Sequence, residues 1–164
     1  MVEIANAVAD ALAEIDGRSA ARYHHDGDAY VAELRGLDAE MEAGLARCER
    51  RLLVTAHDAF GWLARRYDLE PRGIAGISPD AEPDAAKLAE LADLAAEQHV
   101  TTIFTESLVS PDIAKTLARE AGGLRTAVLD PFEGLTGERR SAGEDYLSVM
   151  RENLYTLRSG LGCE

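Results

Sequence analysis

The stretch LLVTAHDAFGWLARRYDL, Leu52 to Leu69, constrains the fold of this chain more than any other. Leu52, Leu53 and Val54 form a short apolar run of the kind that becomes a buried strand. After Thr55, Ala56 and His57 the period changes, and Phe60, Leu63, Ala64 and Tyr67 recur every three or four residues along one helical face. A strand that runs into a helix through a polar junction is half of a βαβ unit. In open α/β sheets that junction, at the carboxyl end of the strand, is where ligands bind. His57 stands there. Its position leaves two readings, a ligand or a histidine bonded to backbone at a strand end.

The pattern repeats downstream. Ile74–Ile77 is a second apolar run, after Pro71 and Gly73, and Asp84 is placed to cap a helix carrying Leu88, Leu91 and Ala95 inward. Thr101–Thr105 reads as the third strand. Ser110 and Pro111 mark the next helix start, with Ile113 and Leu117 inward and Gly122 and Gly123 at its end. Thr126–Leu129 is the fourth strand, and the loop PFEGLTGERRSAG leads to a last helix with Tyr146, Met150, Leu154, Leu157 and Leu161 on one side. Strands alternating with helices predict an α/β fold, a four-stranded parallel sheet flanked by helices.

Two helices upstream stand outside that repeat. Met1–Ile15 lines up Ile4, Val8, Leu12 and Ile15, and Asp16–Gly17 breaks it. A long helix then runs to about Arg47, with Tyr23, Tyr30, Leu34, Leu37, Met41 and Leu45 as its stripe and Gly27 as its weak point. The chain therefore divides into an N-terminal helix and long backbone helix over 1–47 and an α/β lobe over 48–164. The adjacent His24 and His25 point in different directions on a helix, so they read as solvated and not as a chelating pair.

Composition narrows the class. A length of 164 residues fits one domain, or a domain with an appendage. Aromatics are 5%, so the core rests on Leu, Ala, Val and Ile. A net charge of −13 argues against nucleic acid, whose phosphates it would repel. No run is long enough to span a bilayer, and the opening VEIANAVADALAEID does not read as a signal peptide.

The strand ends carry the chemistry. The first gives His57, the second leads to Ser78 and Asp80, the third gives Glu106 and the fourth gives Asp130. A parallel sheet gathers these at one edge, and imidazole with carboxylates suits zinc, and manganese less well. The plainer alternative is that each acidic residue caps the helix that follows. GIAGI is no dinucleotide fingerprint, and GxxxxGK[ST], GxSxG and HExxH are absent.

These residues also carry a family likeness. TAHDAFGWLARRYDL resembles the motif after the first strand of the C-terminal lobe in the zinc/manganese solute-binding proteins of bacterial ABC transporters. ISPDAEPD, TTIFTESLVSPDIAKTLAREAG, AVLDPFEGL and EDYLSVMRENLYTLRSGL follow in the family's order, and DGRSAARYHHDGDAYVAELRGLDAEM resembles the long helix joining the two lobes. The likeness covers essentially the whole chain. It implies an extracytoplasmic receptor, periplasmic or lipoprotein, that delivers metal to an ABC permease in the membrane. His57 matches the histidine ligand of this lobe, Asp130 the aspartate ligand before proline, and Glu106 a glutamate behind the ligands that orients His57. Histidine at position 57 implies zinc in preference to manganese.

The likeness has departures and corollaries. The family's N-terminal lobe, with its two histidines and histidine-rich loop, has no counterpart here, and Gly17 stands where proline is usual. The chain thus resembles a C-terminal half whose partner is the missing lobe. Export implies a Cys48–Cys163 disulfide. The apolar face of Met1–Ile15, packed within the absent lobe in the family, implies self-association or fraying of the N-terminal helices. Two other classes stand beside the receptor. One is a metal-dependent enzyme domain, for which the sequence offers no general base or nucleophile; the other is a metal-independent interaction module.

Overall fold

A computed structural model describes residues 1–74, 85–106 and 112–164. Two compact units divide the chain, Met1–Glu42 and Ala43–Glu164. The first contains α1 (Val2–Ile15) and the start of α2 (Ala20–Leu45). Between them the Asp16 carboxylate accepts the Arg18 backbone N–H at 3.2 Å and the Tyr23 hydroxyl at 3.5 Å. The sequence marks Gly27 as the weak point of α2, yet α2 runs unbroken through it. The reason is packing: a Cβ at Gly27 would sit 2.8 Å from the Cβ of Ala9, so the missing side chain lets α1 approach. Ala9 is buried there, whereas Ile4, Val8, Leu12 and Ile15 remain exposed.

The second unit is built on β1 (Leu52–Thr55), β2 (Glu70–Gly73), β3 (Thr102–Thr105) and β4 (Arg125–Val128). All pairings are parallel, in the order β2-β1-β3-β4. The helices are α3 (Gly61–Arg66), α4 (Ala85–Glu97), α5 (Asp112–Glu120), α6 (Gly137–Ser141) and α7 (Tyr146–Leu161). The two central strands are buried along their whole length, as their LLVT and TIFT sequences require. Alternate residues take opposite faces. Leu52, Val54 and Ile103 pack with Ile74 and with Leu91, Ala95, Ala114, Leu117 and Ala118 of α4 and α5. Phe104 points the other way, against α7, where a Cβ at Gly160 would lie 2.5 Å from its ring.

The second strand is displaced from the expected Ile74–Ile77. It is Glu70–Gly73, with Leu52 opposite Glu70 and Thr55 opposite Gly73. The sequence EPRG has no apolar residue to betray a strand, and it works because β2 lies at the sheet edge. Glu70 and Ile74 donate backbone N–H groups to Arg51 and Thr55 of the neighbouring chain segment, at 2.8 and 3.0 Å. Pro71 is out of phase with them, so its missing donor falls on the open edge. Ile74 is buried just beyond the strand. Residues 75–77, Ser78, Asp80, Asp84, Ser110, Pro111 and the side chain of Ile113 lie outside the described residues.

Two devices tie the ends together. Cys48 and Cys163 form the expected disulfide across a sequence separation of 115. Glu49 and Arg50 donate beside it to the carbonyls of Gly162 and Leu161, at 3.2 and 3.1 Å, so the end of α7 is fastened to the segment entering β1. The Arg51 guanidinium meets three carbonyls, Leu45 at 2.7 Å, Asp68 at 2.8 Å and Tyr67 at 2.9 Å. These lie at the carboxyl ends of α2 and α3, where backbone acceptors lack helical partners and a cation is favoured.

Candidate metal centre

The turn after β1 is held at several points. The Thr55 hydroxyl donates to the carbonyl of His57 at 2.7 Å, and Ala59 N–H donates to the same oxygen at 3.0 Å. Asp58 Oδ1 accepts Gly73 N–H at 2.9 Å, which pins the end of β2. Gly73 has to be glycine for this, since a Cβ there would lie 2.3 Å from that oxygen.

His57 and Glu106 are both buried, each 4% exposed. Glu106 Oε1 lies 2.6 Å from His57 Nδ1 and 3.3 Å from the His57 backbone nitrogen. A backbone N–H can only donate, so Oε1 accepts there, and an ionised Glu106 accepts from the ring Nδ1 as well. The lone pair is then on Nε2, available to a metal. Burial raises the Glu106 carboxyl above its ordinary range, and the nearby His57 only partly offsets this. Its second oxygen, Oε2, is buried with no hydrogen-bond partner among the described residues.

Asp130, two residues beyond β4, is fixed through its backbone. Asn153 of α7 donates from Nδ2 to the Asp130 carbonyl at 2.7 Å and accepts the Asp130 N–H on Oδ1 at 2.9 Å. The Asp130 carboxylate folds the DPF turn, Oδ1 accepting Phe132 N–H at 2.8 Å. Phe132 sits at φ 60, a conformation uncommon for a side chain of its size. Its ring stands edge-on against Tyr146, centroids 5.3 Å apart, which holds the turn.

Asp130 Oδ2 accepts from Arg139 Nη1 at 2.9 Å. Thr136 caps α6 by accepting Arg139 N–H, and this places the side chain. The guanidinium also bonds Glu144 through Nε, and Glu152 through Nη2 at 2.6 Å. These carboxylates, Glu144 foremost, hold Arg139 above its already high pKa.

His57, Glu106 and Asp130 thus follow β1, β3 and β4, three consecutive strands of the sheet. At about 4.8 Å per strand, β1 and β4 lie about 10 Å apart, with β3 between them. The structure joins His57 to Glu106 directly. It joins Asp130 to Arg139 and Asn153 instead. No three His, Cys, Asp or Glu side chains among the described residues stand together as a complete metal cage. His24, in the other unit, stands 3.6 Å from Asp10 as an exposed pair. A neutral imidazole nitrogen and a carboxylate are half of a tetrahedral zinc set.

Arg139 and Asn153 were not legible as site residues. Arg139 sits in a stretch that reads as loop. Asn153 lies on the buried side of α7 with Val149 and Leu157, one turn away on either side, so a polar residue in an inward row was its only signal.

Comparison with known proteins agrees with this architecture. The family model of the zinc-uptake complex component A, periplasmic, matches residues 1–160. The zinc-binding protein AdcA of Streptococcus pyogenes is 38% identical over 157 residues, 96% of this chain and 30% of its own length. The high-affinity zinc uptake system protein ZnuA of Bacillus subtilis is 40% identical over 139 residues, 85% of this chain and 43% of its own length. The Zn(II)-bound ZnuA-like domain of Streptococcus pneumoniae AdcA superposes with a TM-score of 0.77 at 38% identity, covering 94% of this chain and 57% of that domain. The chain spans well under two thirds of each of these relatives. It belongs to the periplasmic zinc-uptake component A family.

Proposed function

We propose that this chain is the C-terminal half of an extracytoplasmic zinc receptor that delivers its metal to an ABC permease in the membrane. In this reading residues 1–47 are the link to the N-terminal lobe and 48–164 are the metal-binding lobe. The protein works in the periplasm or as a lipoprotein on the outer face of the membrane. It is a binding protein and not an enzyme. His57 Nε2 and Asp130 Oδ2 are its ligands, and Glu106 stands behind His57.

The observation that carries this is the Glu106–His57 pair. A carboxylate on Nδ1 fixes the tautomer and makes Nε2 a better donor, the arrangement common behind zinc-bound histidines. The relatives add weight, since AdcA and ZnuA are named for zinc. Two ligands on one rigid sheet edge bind zinc weakly; the other lobe supplies the rest, and the exposed stripe of α1 is the face that meets it.

Zinc titration by calorimetry tests the assignment. His57→Ala should remove most of the binding of this chain, and Asp130→Asn should weaken it, because the amide keeps the shape and loses the charge. Changing His24 and His25 together to alanine should leave the heat unchanged. The opposite pattern, binding lost with His24 and His25 but kept in His57→Ala, would refute the site.

A further inference from the structure

Gly73 closes β2 with its N–H turned away from β1. Glu70 and Ile74 donate to β1, and Gly73 is out of phase with both, as Pro71 is. The partner it finds is the carboxylate of Asp58, whose Oδ1 accepts the bond at 2.9 Å. Asp58 directly follows His57, so the turn that carries the imidazole is seated on the end of the edge strand. The seat is close. A Cβ at Gly73 would lie 2.3 Å from Asp58 Oδ1, 2.7 Å from its Cγ and 2.8 Å from its backbone nitrogen. Gly73 does not have the positive φ that marks Gly122, Gly123, Gly143 and Gly162, so its missing side chain serves close approach alone.

That backbone nitrogen belongs to the peptide bond whose carbonyl is His57's own. The carbonyl end is held by the Thr55 hydroxyl at 2.7 Å and Ala59 N–H at 3.0 Å, and the nitrogen end rests on Gly73. On the other side of β1, Glu106 beyond β3 holds the His57 N–H and the ring. We propose that Asp58 and Gly73 are positioning residues for zinc binding, the end of β2 being the seat that sets the direction in which His57 presents Nε2. The inference rests on the reading of His57 as a zinc ligand. Neither residue touches metal. Glu106 fixes the ring and the amide before it, whereas Asp58 and Gly73 fix the peptide after it. A metal site tolerates a misplacement of only about 0.5 Å in its ligands, so both supports are needed.

The test measures zinc affinity by chelator competition, and melting temperature without metal, in the 164-residue chain and its variants. Gly73→Ala, which pushes the turn off its seat, should bind zinc roughly tenfold more weakly, the lower end of what support behind a ligand is worth. Asp58→Ala should lose roughly threefold, and Asp58→Asn, which keeps an oxygen acceptor, should stay near wild type. Because both residues act through one contact, Asp58→Ala combined with Gly73→Ala should bind little more weakly than Gly73→Ala alone. Lower melting temperatures with zinc affinity unchanged in Gly73→Ala and Asp58→Ala would mean a purely structural pair and overturn the proposal. Losses that multiply in full in the double variant would overturn it too. Should Gly73→Ala fail to fold, Asp58→Ala and Asp58→Asn decide the matter, and wild-type affinity in both refutes the inference. His57→Ala separates the two levels. Binding lost there but kept in the Asp58 and Gly73 variants overturns this inference alone, whereas undiminished binding in His57→Ala overturns the reading of His57 itself.

Discussion

Glu106 Oε1 receives two N–H groups from a single residue, the ring Nδ1 of His57 at 2.6 Å and the His57 backbone nitrogen at 3.3 Å. One oxygen thereby fixes the tautomer of the imidazole and its direction relative to the strand that carries it. Removing such support behind a metal-bound histidine lowers affinity about ten- to hundredfold. Glu106→Ala should do this in a chelator-competition titration. Glu106→Gln, which keeps an acceptor in place, should lose less. Wild-type affinity in Glu106→Ala would mean that the pair is a packing feature only.

The Cys48–Cys163 bond closes nearly the whole second unit into one loop. Replacing both cysteines by alanine should lower stability by about 2–5 kcal/mol. Urea unfolding of the oxidised protein and the double variant measures the difference. Equal midpoints would show that the backbone bonds around Glu49 and Arg50 hold the terminus by themselves.

The start of α7 gives a prediction in pH. Asp145 accepts Ser148 N–H at 2.8 Å, and Ser148 Oγ accepts Asp145 N–H at 2.9 Å. The bond from the Ser148 backbone is the main cause that lowers the Asp145 carboxyl from its ordinary 3.8. A carboxyl lowered in the folded state stabilises the fold above its unfolded pKa and loses that contribution as pH falls through the folded value. Asp145→Ala should therefore cost about 1 kcal/mol near neutrality, by urea unfolding. The gap to wild type should close on acidification below about pH 4. A gap that stays constant into that range would contradict the cap.

The outer stripe of α1 bears on assembly. Ile4 is 59% exposed and Ile15 84%, with Val8 and Leu12 between them. Apolar stripes of this kind are seldom left bare in monomers. By itself the 164-residue chain should self-associate in sedimentation experiments, and Ile4→Lys with Leu12→Lys should return it towards monomer. A concentration-independent monomer in the unchanged protein would contradict this.

The parts of the fold that were legible in the sequence are those where burial and period coincide. Leu52, Leu53 and Val54 were legible as a strand because a central strand buried on both faces is an unbroken apolar run. Thr102–Thr105 and Arg125–Val128 fall within one residue of the expected strands. β2 was misplaced because an edge strand needs only backbone, and EPRG announces none. His57, Glu106 and Asp130 could be singled out as candidates because each follows a strand, and a parallel sheet sends strand ends to one edge. Arg139 was invisible because its role depends on the cap at Thr136 and on carboxylates 5 and 13 residues further on. Periodicity does not record meetings of that kind.

The most direct test of the central claim is anomalous scattering at the zinc edge from crystals of this chain grown with zinc. A peak should appear bonded to His57 Nε2 at about 2.0–2.1 Å and to Asp130 at about 2.0–2.2 Å. Glu106 should remain on Nδ1. A peak on the His24–Asp10 pair, with no metal at His57, would contradict it.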